Sequence, residues 1–210
     1  MRHGTVETFH AIHGHIVVER DGALAILDTG TPISLPAPRL VSQQLGKPIA
    51  RLIGCDEMRG RALEVDWETK RLTWTASGTA PAGAVLLHMS PLGVPLIDIR
   101  SARGPAQAVF DTGAPIAYVP DDLVESLEAV GEREDFFPGL GEFTTSIFPV
   151  TLEVGGAHFP IECGVLPPLL AMALGLLCPS GYIVGSQIMR DRITRFDLDG
   201  RWIQVEASRS

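Results

Sequence analysis

Two stretches of the chain carry an aspartate, a hydroxyl and a glycine in the same order. Asp28-Thr29-Gly30 comes first, and Asp111-Thr112-Gly113 follows 83 residues later. Ala25-Ile26-Leu27 leads into the first and Ala108-Val109-Phe110 into the second. Thr31-Pro32-Ile33 and Ala114-Pro115-Ile116 follow them. Two carboxylates brought to about 3 Å of each other cannot both ionise, so they share a proton and their pKa values split. The charged member can take a proton from water, and the protonated member can donate to a carbonyl oxygen. This is the chemistry of amide hydrolysis, and it needs no metal and no organic cofactor. Gly30 and Gly113 let backbone N–H groups approach the carboxylates. The Thr29 and Thr112 hydroxyls are placed to bond across from one loop to the other. Thr31 can donate to the outer oxygen of Asp28, whereas Ala114 cannot do so for Asp111. That asymmetry assigns the negative charge to Asp28.

Each aspartate must be held at the end of a strand. Ala23 to Leu27 is an apolar strand after the turn signal Arg20-Asp21-Gly22, and His13 to Glu19 contains the strand before it. A short helix is expected within Pro36 to Leu45. Leu52-Ile53-Gly54 and Ile183-Val184-Gly185 match at an offset of 131. The match continues without a gap: Met58 with Met189, Arg59 with Arg190, Asp66 with Asp197 and Leu72 with Ile203. One offset therefore holds through the aspartate loops and another through the glycine segments. The difference between them is an insertion of 48 residues in the second half. A two-copy repeat with so long a period points to a duplicated β lobe, not a solenoid.

The insertion begins with Glu132 to Ile147. Phe136, Phe137 and Phe143 flank Gly139, Leu140 and Gly141, which predicts a turn between aromatic arms over Pro138 to Glu142. A second hairpin is expected from Val150 to Cys163, around Gly155-Gly156. Asp121 to Val130 reads as a helix capped by Asp121 or Asp122 and ended by Gly131. Leu169 to Leu177 reads as a short buried helix. Ala76 to Ala84 is small and uncharged and reads as a linker. Val85 to Met89 is a candidate strand for pairing between the halves.

Composition excludes several other classes. The chain is 210 residues long, 45% hydrophobic and 20% charged, so it can bury a core. Its 22 Gly and 16 Pro favour turns over long helices, and a net charge of −8 without a basic block argues against a nucleic-acid partner. Met1 to Arg20 has no apolar run of the secretory kind. Val165 to Leu177 is too short and too broken by Pro167, Pro168 and Gly175 to span a membrane. Cys55, Cys163 and Cys178 read as buried thiols of a reducing compartment, so a cytoplasmic location is expected. His10, His13 and His15 read as a solvated strand end, with no carboxylate or thiol placed to complete a metal site. Glu132, Glu134 and Asp135 read as a solvated loop. Asp66 and Asp197 read as turn residues, and Trp67, Trp74 and Trp202 as core.

The paired Asp-Thr-Gly loops, the two apolar-apolar-Gly segments and the Phe196-Asp197 hairpin resemble the aspartic peptidases of the pepsin and retropepsin clan. The resemblance implies a mostly β, bilobal acid-protease fold with Asp28 and Asp111 as the catalytic pair. Thr29, Gly30, Thr31, Thr112, Gly113 and Ala114 would be the loop support. It implies a minimal lobe over 1–75 without a flap, a linker over 76–84, and a retropepsin-like lobe over 85–210. The second lobe's flap would carry Phe136, Phe137, Gly139, Leu140, Gly141 and Phe143 against substrate. An extended peptide or unfolded polypeptide would be the partner, met by a monomer. The chain departs from both branches: retroviral enzymes pair two chains, and pepsins carry a flap tyrosine on the first lobe. Three alternatives stand beside this reading: a peptide-binding protein of the same fold without proteolysis, a homodimer that uses Asp111 from each chain, and a scaffold or interaction protein that uses an exposed strand edge.

Overall fold

The computed structural model describes residues 4–137 and 141–207. Strands form where apolar residues alternate or run between turn residues. The chain opens with β1 (Thr5–Thr8), β2 (His10–Ile12), β3 (His15–Arg20) and β4 (Ala23–Leu27). Asp21 and Gly22 take φ of 52° and 76°, the two positive values that a tight Asp-Gly hairpin needs. Next come β5 (Leu35–Pro36), α1 (Arg39–Leu45), β6 (Ile49–Ile53), α2 (Cys55–Met58), β7 (Arg61–Asp66) and β8 (Arg71–Ala76). The helix expected within Pro36 to Leu45 is α1, and left-handed Gly46 ends it.

The chain continues through β9 (Val85–Met89), β10 (Pro95–Ser101), β11 (Gly104–Phe110), β12 (Ala117–Tyr118), α3 (Asp121–Val124) and β13 (Gly131–Phe137). It then runs through β14 (Gly141–Val154), β15 (Ala157–Gly164), α4 (Pro168–Gly175) and β16 (Tyr182–Val184). A 3₁₀ turn over Ser186–Met189 leads to β17 (Arg192–Asp197) and β18 (Trp202–Ala207).

Two sheets result. One has the order β2-β3-β4-β6-β5, with β4 and β6 parallel and β5 antiparallel to β6. The other contains β9-β10-β11-β16-β12, where the same senses recur: β11 and β16 are parallel, and β12 is antiparallel to β16. Only this run extends further, through β15, β14 and β13. Its other end continues through β18, β17, β7, β8 and β1. At the β7–β17 contact Glu64 lies opposite Arg195, so residues 131 apart in sequence face each other. The core lies beneath both aspartate loops. Phe110 meets Phe196 edge-on at 5.3 Å, and Leu27, Ile53, Val184, Met58 and Met189 are buried around them.

Several expectations need correction. The helix expected over Asp121 to Val130 is the single turn α3. Pro120 stands at its N-cap and no side chain caps it. Leu127 and Val130 stay exposed, so no buried apolar face holds further turns. Gly131 opens β13 instead of ending a helix. Helix α4 buries only Leu170 and Leu174; Leu169, Met172 and Leu176 are 56%, 68% and 84% exposed. The segment 76–84, read as a linker, bonds to the C-terminal strands. Gly78 N–H donates to Asp197 at 2.9 Å, and Gln204 Nε2 donates to Ala82 O at 2.7 Å. Strand β9 pairs with β10 and β18, both from the C-terminal part of the chain, while the halves join through β7 and β17. Glu132, Glu134 and Asp135 belong to strand β13, not to a loop, because cross-strand pairing with β14 runs from Gly131↔Ile147 to Phe137↔Gly141.

Candidate active site

Asp28 directly follows β4 and its N–H donates to Ile53 O at 2.9 Å, and Asp111 directly follows β11 and its N–H donates to Val184 O at 3.0 Å. The glycines after those carbonyls pass close behind the loops. A Cβ on Gly54 would lie 2.8 Å from Thr31 O, and one on Gly185 would lie 2.3 Å from Ala114 O. Both positions accept only hydrogen.

The loops meet through reciprocal bonds. Thr29 N–H donates to Thr112 Oγ1 at 3.0 Å, and Thr112 N–H donates to Thr29 Oγ1 at 2.9 Å. The Thr29 hydroxyl donates to Phe110 O at 2.6 Å, and the Thr112 hydroxyl to Leu27 O at 2.8 Å. Both threonines are fully buried. Each carboxyl packs on the other loop's glycine. A Cβ on Gly30 would fall 2.4 Å from Asp111 Oδ2, and one on Gly113 would fall 2.5 Å from Asp28 Oδ1.

Burial raises the pKa of Asp28 above the ordinary carboxylate value, and the Thr31 hydroxyl, 2.8 Å from Oδ2, draws it back. Burial raises Asp111 well above that value, and the charge of Asp28 adds to the rise. Ala114 offers Asp111 no hydroxyl of the kind that Thr31 offers Asp28. The Cys55 thiol below the loops is pushed up to about 12 by burial and donates to Thr29 O at 3.2 Å. It is a packing thiol, not a nucleophile.

The carboxylates open into a cleft of about 340 Å³. Ile26, Leu35, Val41, Leu45 and Leu52 wall one side, with Gln44 of α1 at its edge. Tyr118, Phe136, Phe137, Phe143 and Leu166 wall the other. Phe136, Phe137 and Phe143 therefore reach the cleft as expected, on the β13–β14 hairpin, with Gly141 starting β14 at a φ of 98°. Gly139 and Leu140 lie outside the described residues. A larger groove of about 790 Å³ lies between the β14–β15 hairpin and the start of β17, away from the carboxylates.

Solved structures of aspartic proteases are similar to this chain. One is the protease of simian foamy virus (mac), at 20% identity and a TM-score of 0.29, covering 38% of this chain and 93% of that one. Another is a retropepsin-like aspartic protease from Rickettsia conorii, at 14% identity and a TM-score of 0.41, covering 59% of this chain and 90% of that one. No family model and no curated protein matches the chain.

Sequence reasoning missed the apolar walls and four polar cleft residues. Gln44 is carried in by α1. Asp135, expected on a solvated loop, lines the cleft and accepts from the Tyr118 hydroxyl. Tyr118 is fixed there by β12, between β15 and β16. His15, expected at a solvated strand end beside His13, faces the cleft, whereas His13 sits in the β2–β3 turn at a φ of 49°. Strand alternation puts His15 and Val17 on one face, and Val17 packs with Ile26 and Leu52. Among the described residues, no group of three His, Cys, Asp or Glu is placed to hold a metal ion. No helix there is long and apolar enough to cross a membrane.

Proposed function

We propose that the chain is an aspartic endopeptidase that hydrolyses peptide bonds with water activated between Asp28 and Asp111 of one chain. The observation that carries this is the reciprocal packing of each carboxyl on the other loop's glycine, locked by the Thr29 and Thr112 bonds. Water between the carboxyls gives a proton to Asp28 as its oxygen attacks the peptide carbonyl carbon. Asp111 gives its proton to the carbonyl oxygen, forming a tetrahedral diol. Collapse of the diol breaks the C–N bond; Asp28 returns its proton to the leaving nitrogen and Asp111 regains one from the diol.

The recurring strand order supports two lobes derived from one ancestor, divided near 1–75, 76–84 and 85–210. The β13–β14 hairpin would then be the single flap, since α1 occupies the corresponding place between β5 and β6. An extended peptide lies under the hairpin, which adds backbone hydrogen bonds and excludes water. Purified protein should cleave an unfolded polypeptide. Asp28→Asn and Asp111→Asn should each lower the rate by at least about a thousandfold with unchanged circular dichroism. Full activity in either variant would refute the dyad.

A further inference from the structure

Asp135 is a third carboxylate in the cleft, and the hydrolytic steps give it no part. It lies on β13 opposite Phe143 of β14, and directly opposed residues share a face. Its Oδ1 accepts the Phe136 N–H at 2.7 Å, and the Tyr118 hydroxyl donates to Oδ2. Both donors are neutral. Among the described residues Asp135 has no salt-bridge partner. Arg133, two positions back on the same face, is the nearest cation along the strand.

His15 supplies a second acceptor in the same part of the cleft. Its Nδ1 is buried without a hydrogen-bond partner, and His15 lines the cleft together with Gly113. Burial pushes its pKa down to about 4, so the ring is neutral at neutral pH and its free nitrogen can accept. The surrounding wall is aromatic: Tyr118, Phe136, Phe137 and Phe143. An aromatic-walled slot whose carboxylate has no ion-pair partner among the described residues, Arg133 standing further back on the strand, suits a long cationic side chain. The stem lies along apolar surface, the cation stacks on a ring, and the head pairs with the carboxylate. An acidic side chain would meet Asp135 and the charged dyad together. The opposite wall, from Ile26 to Leu52, carries no charge and suits an apolar side chain.

We propose that Asp135, assisted by His15, forms a subsite for an Arg or Lys side chain of the bound peptide, opposite an apolar subsite beneath α1. This specificity rests on the peptidase reading for its turnover, but not for its binding. The test uses a peptide series that differs at one position only, scanned on both sides of an apolar residue, with Arg, Lys, norleucine or Glu. The intact chain should cleave the Arg or Lys member at least about tenfold faster in kcat/KM than the norleucine member at one scanned position, with Glu slowest. Asp135→Asn should reduce that ratio to about twofold, and Asp135→Lys should favour Glu. Glu134→Gln, altered on the exposed face of the same strand, should leave the ratio unchanged.

Equal cleavage of all members, or a basic preference that survives Asp135→Asn, overturns the subsite. If no peptide is cut, binding of the same series by fluorescence anisotropy separates the two ideas. Tighter binding of the Arg member that depends on Asp135 upholds the subsite while hydrolysis fails. Binding indifferent to the substituted residue overturns it.

Discussion

One hydroxyl and one backbone bond distinguish the two aspartates, and Asp111 accepts the Gly113 N–H at 2.8 Å. Thr31 donates to Asp28, and Ala114 leaves Asp111 without the equivalent bond. A donor to a carboxylate favours its charged form, so Thr31 lowers the pKa of Asp28 and lets Asp111 keep the proton. The acid limb of the rate profile then reports ionisation of Asp28, and the alkaline limb reports loss of the Asp111 proton, both as apparent values of the pair. Asp111 is held well above the ordinary carboxylate range, so the alkaline limb should lie well above it too. Thr31→Ala removes the donor and raises Asp28, which moves the acid limb to higher pH. A hydrogen bond to a charged group is worth about 1.5 kcal/mol or more. kcat/KM on the acid side should therefore fall about tenfold while the alkaline limb moves little. An acid limb that stays in place, or moves to lower pH, would reverse the assignment of the charge.

At the scale of elements, the aspartate loops depend on the segments threaded behind them. Gly185 has an ordinary φ of −89°, so its need for glycine is steric: the carbonyl oxygens of Ala114 and Ile116 stand 2.3 and 2.7 Å from where a Cβ would be. Gly185→Ala must push backbone apart beneath Asp111 and should cost about 3 kcal/mol or more in urea unfolding. Gly131→Ala, at the start of β13 with nothing within 4 Å of its Cβ, should stay within about 0.5 kcal/mol. Equal effects of the two would show that the threading segment is loosely packed.

The threading glycines were legible in the sequence because one spacing rule places both, and so were the aspartate loops and the turns at Asp21-Gly22 and Gly155-Gly156. The contribution of Asp135 was not. It reads as one of several acidic residues until cross-strand register sets it opposite Phe143 on the hairpin that walls the cleft. His15 was hidden for a related reason: only its partner strand reveals which face of β3 meets the cleft. The over-long helix at Asp121 shows the opposite failing. Helical spacing at Leu123, Leu127 and Val130 was real, but no neighbouring surface covers the latter two. Periodicity without burial leaves a single turn.

At the scale of the whole molecule, the halves are joined at two levels. Thr29 and Thr112 lock the loops at the floor of the cleft. Below them β7 pairs with β17, where Glu64 accepts from Arg195 Nε at 2.6 Å and Glu206 accepts from Arg195 Nη1 at 2.7 Å. Both levels lie within one chain, and under the proposed single-chain dyad the two carboxyls would meet at a fixed effective concentration. Specific activity should then be independent of protein concentration, and light scattering should give the active species the mass of a single chain. Mixing Asp28→Asn with Asp111→Asn tests the same point chemically. Each folded chain carries one competent carboxyl on a loop already bonded to its crippled partner, so the mixture should stay as inactive as its components. A homodimer that pairs Asp111 with Asp111 predicts the reverse pattern. Asp28→Asn would be active alone, and activity would fall on dilution as the dimer dissociates. Either result would move the dyad from within the chain to between chains and leave β2 to β6 as a covering element.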